Sequence, residues 1–126
     1  MLKRKKGRSK RAQLIRKLDR LAPVKCKERD HYICQRCGSR PAARGLHSHH
    51  AVIGRSDYRT RWDLDNLVCL DYGCHRWAHS NGALFAEWFK EKYPERVSSV
   101  LAKTQGPPRT LRLADLEAIY EHLSKL

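Results

Sequence analysis

The sequence predicts a small α+β domain, and three observations predict it. Apolar residues recur at helical spacing towards both ends of the chain. The middle, from Cys34 to Ser80, loses that period and holds two short apolar runs, Ala51 to Ile53 and Leu67 to Leu70, which read as strands. Four of the five cysteines bracket this middle as two knuckles, Cys34-x2-Cys37 and Cys69-x4-Cys74. At 126 residues the chain suits one domain with a modest core, which a bound metal would reinforce. No apolar stretch approaches the roughly 18 residues of a membrane span, and Met1 to Lys6 is followed by no signal-peptide core, so a soluble intracellular protein is expected.

Charge divides the chain. There are 27 Lys or Arg against 13 Asp or Glu, a formal charge of +14, and residues 1–20 hold ten of the bases but one acid, Asp19. This segment reads as a basic arm for a polyanion, with Lys3, Arg4, Lys5, Lys6 and Arg8 as phosphate contacts; nuclear import and solubilisation are the bland alternatives. Met1 to Lys10 has little to bury and reads as disordered when unbound. Leu14, Ile15, Leu18 and Leu21 then predict a helix from Arg11 to Leu21 that Pro23 ends, and a second short helix covers Val24 to Tyr32. The polar segment Gly54 to Asp65 reads as a compact exposed loop. Helices return with His75 to Ser80, Ala83 to Tyr93, Pro94 to Lys103 with proline in its favoured first position, and an amphipathic stretch marked by Leu113, Leu116, Tyr120 and Leu123. The organisation is therefore an arm (1–20), a central domain with packing helices (21–104), and a linker with a C-terminal helix (105–126). Trp77, Phe85, Trp88 and Phe89 fit core that fastens the last helices, although aromatics also stack on bases.

Two knuckles about thirty residues apart suit a tetrahedral zinc site of Cys34, Cys37, Cys69 and Cys74, structural because four thiolates leave no position for water. Cys26 falls outside this pattern and reads as core. His75 and His79, one helical turn apart, share a face and can hold one ion together, but Arg76 stands where a zinc peptidase needs Glu. If His49 and His50 lie on a strand they project to opposite sides, so that one ligates while the other stands free as a general base.

Taken in order, Cys34-x2-Cys37, Ser48-His49-His50-Ala51-Val52-Ile53, Asp63-Leu64-Asp65-Asn66-Leu67-Val68-Cys69 and Cys74-His75-Arg76-Trp77-Ala78-His79 resemble the HNH endonucleases. The resemblance implies a ββα-metal (His-Me finger) core with a four-Cys zinc knuckle, flanked here by N- and C-terminal helices. It implies that His50 is the general base and that Asn66 positions the His50 ring or its loop. His49, His75 and His79 would hold the catalytic ion, the last as in colicin-type nucleases. The family points to magnesium or manganese as that ion, whereas a nitrogen-rich donor set leans to zinc, nickel or manganese. The expected cofactors are thus a structural zinc and one catalytic divalent metal.

The expected function is metal-dependent hydrolysis of DNA phosphodiester bonds, by nicking or double-strand cutting. His50 would activate water while the ion stabilises charge on the phosphorus oxygens and the 3′ leaving oxygen. Arg55, Arg59, Arg61 and Arg76 would contact phosphates, with solvated surface charge as the plain alternative; His47 and Asp57 stand nearby as supporting candidates. Two other readings are a zinc-stabilised nucleic-acid-binding module without catalysis and a junction-processing recombination nuclease. The resemblance places such proteins in the bacterial cytoplasm, encoded by phages or prophages, alongside packaging or recombination partners and without a membrane.

Overall fold

A computed structural model describes Leu2 and residues 7–126. Lys3, Arg4, Lys5 and Lys6, expected to contact phosphates, lie outside the described residues. The architecture is α+β, with five α-helices and one two-stranded antiparallel sheet among the described residues. In chain order these are α1 (Lys10–Arg29), β1 (Leu46–His50), β2 (Leu67–Asp71), α2 (Tyr72–Ser80), α3 (Gly82–Lys92), α4 (Pro94–Lys103) and α5 (Leu113–Ser124). Among the described residues no helix is long and apolar enough to cross a membrane.

The first helix corrects the sequence expectation. Pro23 does not end it, and α1 runs from Lys10 to Arg29 as one element, through the boundary expected at residue 20. Proline costs an intrahelical hydrogen bond, but Leu18, Ala22 and Cys26, spaced four apart on both sides of Pro23, are all buried in one core. Packing of that continuous stripe outweighs the local defect. Ser9 caps the start, its hydroxyl accepting the Ala12 N–H. At the other end His31 and Tyr32 both adopt φ of 55°, which turns the chain back towards the first knuckle.

Strand β1 is also displaced from its predicted place. Leu46–His50, and not Ala51 to Ile53, pairs with β2, in the register Ser48 opposite Cys69 and His50 opposite Leu67. A strand rich in histidine lacks the apolar alternation by which half-buried strands are read. In β2 the run Leu67 to Leu70 is buried on both faces. Leu67 and Cys69 join Leu18, Ala22, Cys26, Leu116 and Leu123 under α1 and α5, while Val68 and Leu70 join Cys34, Cys74, Ala78, Phe85 and Phe89 under α2 and α3. The sheet thus separates two cores, and the period-two geometry of a strand decides which side chain enters which.

Arg29 fastens the end of α1 to this sheet. It donates to the carbonyls of Leu64 and Leu67 and pairs with Asp30, whose Oδ2 accepts the Cys69 N–H at 2.9 Å. The segment between the strands is less exposed than its polarity suggests, since Thr60 and Trp62 are buried, Trp62 within the α1/α5 core. Pro94 opens α4 as expected.

Candidate functional site

Among the described residues, two clusters of side chains able to hold a metal ion are assembled around β2 and α2. Cys34, Cys37, Asp71 and Cys74 form the first, with donor atoms all within 4.8 Å of one another. Two turns build it. The backbone N–H of Gly38 donates to the Cys34 carbonyl at 2.8 Å, and Gly38 has φ of 77°, a conformation a side chain would strain. Asp71 is the N-cap of α2, its Oδ1 accepting the Cys74 N–H at 2.7 Å, while its Oδ2 accepts from Ser39 at 2.6 Å and Cys37 at 2.9 Å. Those three bonds hold its carboxyl well below the usual range. Cys74 is pushed the other way by burial, opposed by Arg36 and reinforced by the crowding of Cys34, Cys37 and Asp71. A cation would relieve that crowding, so the donor set fits a metal.

Cys69, expected as the fourth thiolate, is not part of this cluster. It is fully buried on the opposite face of β2, in the core that also holds Cys26, because residues 68 and 70 face α2 while 67 and 69 face α1. Burial raises its thiol to about 12. Asp71 takes the fourth place. The signal for it was present in the spacing: Asp71-x2-Cys74 repeats the two-residue gap of Cys34-x2-Cys37 once a carboxylate is admitted as a ligand.

The second cluster is His49, His75 and His79, whose ring nitrogens also lie within 4.8 Å of one another. β1 supplies the first and one turn of α2 the other two. The Nε2 atoms of His75 and His79 are 3.0 Å apart, and the His49 ring centroid lies 5.0 and 5.1 Å from theirs and is nearly perpendicular to the Phe85 ring. Burial lowers His49 to about 4, helped by the neighbouring imidazoles, and burial lowers His75 as well. At neutral pH His49 therefore presents a lone pair, the form a metal requires. The His47 ring lies 4.8 Å from that of His75, tilted by 34°, and is not in the cluster.

His50 projects away from His49 and lines, with all three clustered histidines, a cavity of about 430 Å³. Its Nε2 is 2.9 Å from the Arg61 carbonyl. A carbonyl only accepts, so Nε2 carries the proton and Nδ1 is the nitrogen with a lone pair to offer. Burial lowers the His50 pKa, against the raising effect of the Arg61 carbonyl.

Asn66 is fully buried and holds the loop, not the His50 ring. Its Oδ1 accepts the N–H of Val52 at 2.9 Å and of Ile53 at 3.0 Å, and its Nδ2 donates to the carbonyls of Ile53 and Thr60. The amide thus continues the sheet's hydrogen bonding past His50 with a side chain. Asn66→Ala would strand two N–H groups and two carbonyls, an expected loss of about 2–4 kcal/mol, to be read by denaturant unfolding.

The arginines separate into different roles. Arg55 and Arg61 line the histidine cavity, both paired with Asp19. Arg76 is exposed on α2 beside His75, and Arg8 is exposed ahead of α1. Arg59, expected with Arg55 and Arg61, is turned elsewhere: it pairs with Asp57 at 2.8 Å and reaches the carbonyls of Gln105, Gly106 and Pro107. Asp57 is accordingly a partner of Arg59 and lies outside both clusters.

No family model, no curated protein and no solved structure matches the chain.

Proposed function

We propose that the protein is a metal-dependent endonuclease of the HNH type, which hydrolyses DNA phosphodiester bonds in the histidine cavity, and that β1, β2 and α2 are its ββα-metal core. One observation carries the reading. Three histidine nitrogens gather within 4.8 Å at a cavity that also holds a fourth histidine, oriented by a carbonyl, and two arginines. A binding module has no need of that combination.

The donors His49, His75 and His79 fit a divalent transition ion, for which neutral imidazoles are good ligands. Bound there, such an ion would supply Lewis-acid stabilisation to the phosphate oxygens and the departing 3′ oxygen. The remaining work falls to the protein. His50 accepts a proton from the attacking water at Nδ1, and the Arg61 carbonyl keeps the ring in the required tautomer. Asn66 fixes the loop that carries that carbonyl's neighbours. Arg55 and Arg61 bring cationic groups to the phosphodiester, and Arg76 and the basic segment ahead of α1 extend the contact along the backbone. Cys34, Cys37, Asp71 and Cys74 hold a structural zinc, since four protein donors leave no open position.

Supercoiled plasmid incubated with the purified, zinc-loaded protein and magnesium, manganese, nickel or zinc tests the reading. Nicked or linear products that disappear with chelator support it. DNA binding without cleavage under every metal would instead favour a zinc-stabilised binding module.

A further inference from the structure

The only carboxylate among residues 1–20 is Asp19, and it is aimed into the histidine cavity. Among the described residues, each of its side-chain hydrogen-bond partners is a donor suited to phosphate. Arg61 grips it with two bonds, from Nε at 3.0 Å and Nη2 at 2.8 Å. Arg55 Nη2 reaches it at 3.3 Å, and the indole Nε1–H of Trp62 donates to it at 2.8 Å. A two-bonded guanidinium, a second guanidinium and an N–H around one pair of oxygens form a seat for a phosphodiester as readily as for a carboxylate.

We propose that Asp19 occupies the phosphate seat of Arg55, Arg61 and Trp62 in the free protein, and that the DNA backbone takes this seat by displacing it. The proposal rests on the nuclease reading for the identity of its ligand and adds an autoinhibitory contact to it.

Two features favour exchange over a permanent structural pair. The Arg61 side chain is only 10% exposed, so it needs an anionic partner at all times, which a phosphodiester supplies as well as a carboxylate does. Arg55 is 63% exposed and Asp19 27%, so the outer half of the seat opens to solvent where a backbone would arrive. Asp19 also sits on α1, in the most basic stretch of the chain, where a duplex drawn in by the flanking Arg16, Lys17 and Arg20 would meet it as a repelling charge.

Duplex DNA binding, measured by fluorescence anisotropy over a salt series with zinc-loaded protein, tests this. All arms carry His50→Ala so that cleavage plays no part, and failure of the nuclease reading would leave the binding comparison intact. Asp19→Asn keeps an acceptor for Trp62 and removes the charge. It is expected to tighten binding about five- to tenfold and to steepen the logarithmic salt dependence by roughly one to two. Adding Arg55→Gln and Arg61→Gln should abolish that gain. Glu117→Gln, the same charge change on the exposed side of α5, should give much less. A gain no larger than that of Glu117→Gln, or one that survives loss of both arginines, would overturn the proposal. Should Asp19→Asn fail to fold, the Trp62 indole N–H resonance of His50→Ala protein serves instead: it should shift on saturation with duplex, and an unmoved resonance would sink the idea.

Discussion

Replacing His50 with alanine is expected to lower the rate of plasmid cleavage by roughly a hundredfold to ten-thousandfold, the range a positioned general base contributes. DNA affinity should hardly change, because His50 is not among the cationic groups proposed to meet the backbone. The size of the effect follows from how strictly the ring is set. Its Nε2–H is committed to the Arg61 carbonyl at 2.9 Å, so only Nδ1 can take a proton. Single-turnover cleavage of supercoiled plasmid, beside anisotropy measurements of binding, separates the two quantities. Cleavage unchanged in His50→Ala would remove the base assignment, and loss of cleavage in step with loss of binding would mark a fold defect. Substituting His75 or His79 should differ in kind. Each removes a donor from the nitrogen cluster, so partial recovery at raised metal concentration is expected for these two and not for His50→Ala.

The largest effect on stability is expected at the cysteine cluster. Removing the zinc proposed for it should unfold much of the chain, because zinc held by such a site contributes on the order of 10 kcal/mol to folding. Asp71→Ala loses a metal donor and the cap of α2 together. It should release one zinc per chain and lower the melting temperature far more than the loss of a cap alone, which is worth about 1 kcal/mol. Cys69→Ala should keep the full metal complement, since that thiol faces α1, and should cost only about 1 kcal/mol from lost packing. Asp71→Cys should retain the metal. Metal content by elemental analysis, with thermal unfolding by circular dichroism, reads all three. Zinc lost from Cys69→Ala and retained by Asp71→Ala would reverse the assignment of the fourth ligand.

The two clusters share α2, and the histidine geometry depends on that. Cys74 and His75 are adjacent, and Asp71 both caps the helix and belongs to the cysteine cluster, so the pinned first turn of α2 presents His75 and the following turn His79. Elements with so few hydrogen bonds of their own are set by what holds their ends. Nine residues of helix and a five-residue strand thus carry three imidazoles to one point, over the core that Cys74 and Ala78 of α2 share with Phe85 and Phe89.

Much of this was legible in the chain. Local rules sufficed where an interaction spans a turn or less: the one-turn spacing of His75 and His79, the alternation that separates His49 from His50, the proline that opens α4, and the charge gathered before residue 21. The amino-acid sequence by itself also determined the α+β class, because the helical period seen towards both ends is lost from Cys34 to Ser80. Tertiary structure decided what depends on distant partners. It carried α1 through Pro23, because the stripe of Leu18, Ala22 and Cys26 is buried by β2 and α5, which lie far along the chain. It chose Asp71 over Cys69, because a strand buried on both faces gives no polarity pattern from which to read its orientation. It drew Trp62 inward and turned Arg59 away from Arg55 and Arg61, each by a long-range contact that composition does not encode. Periodicity reports the face a residue shares with its near neighbours, whereas the partner opposite that face is set by packing alone.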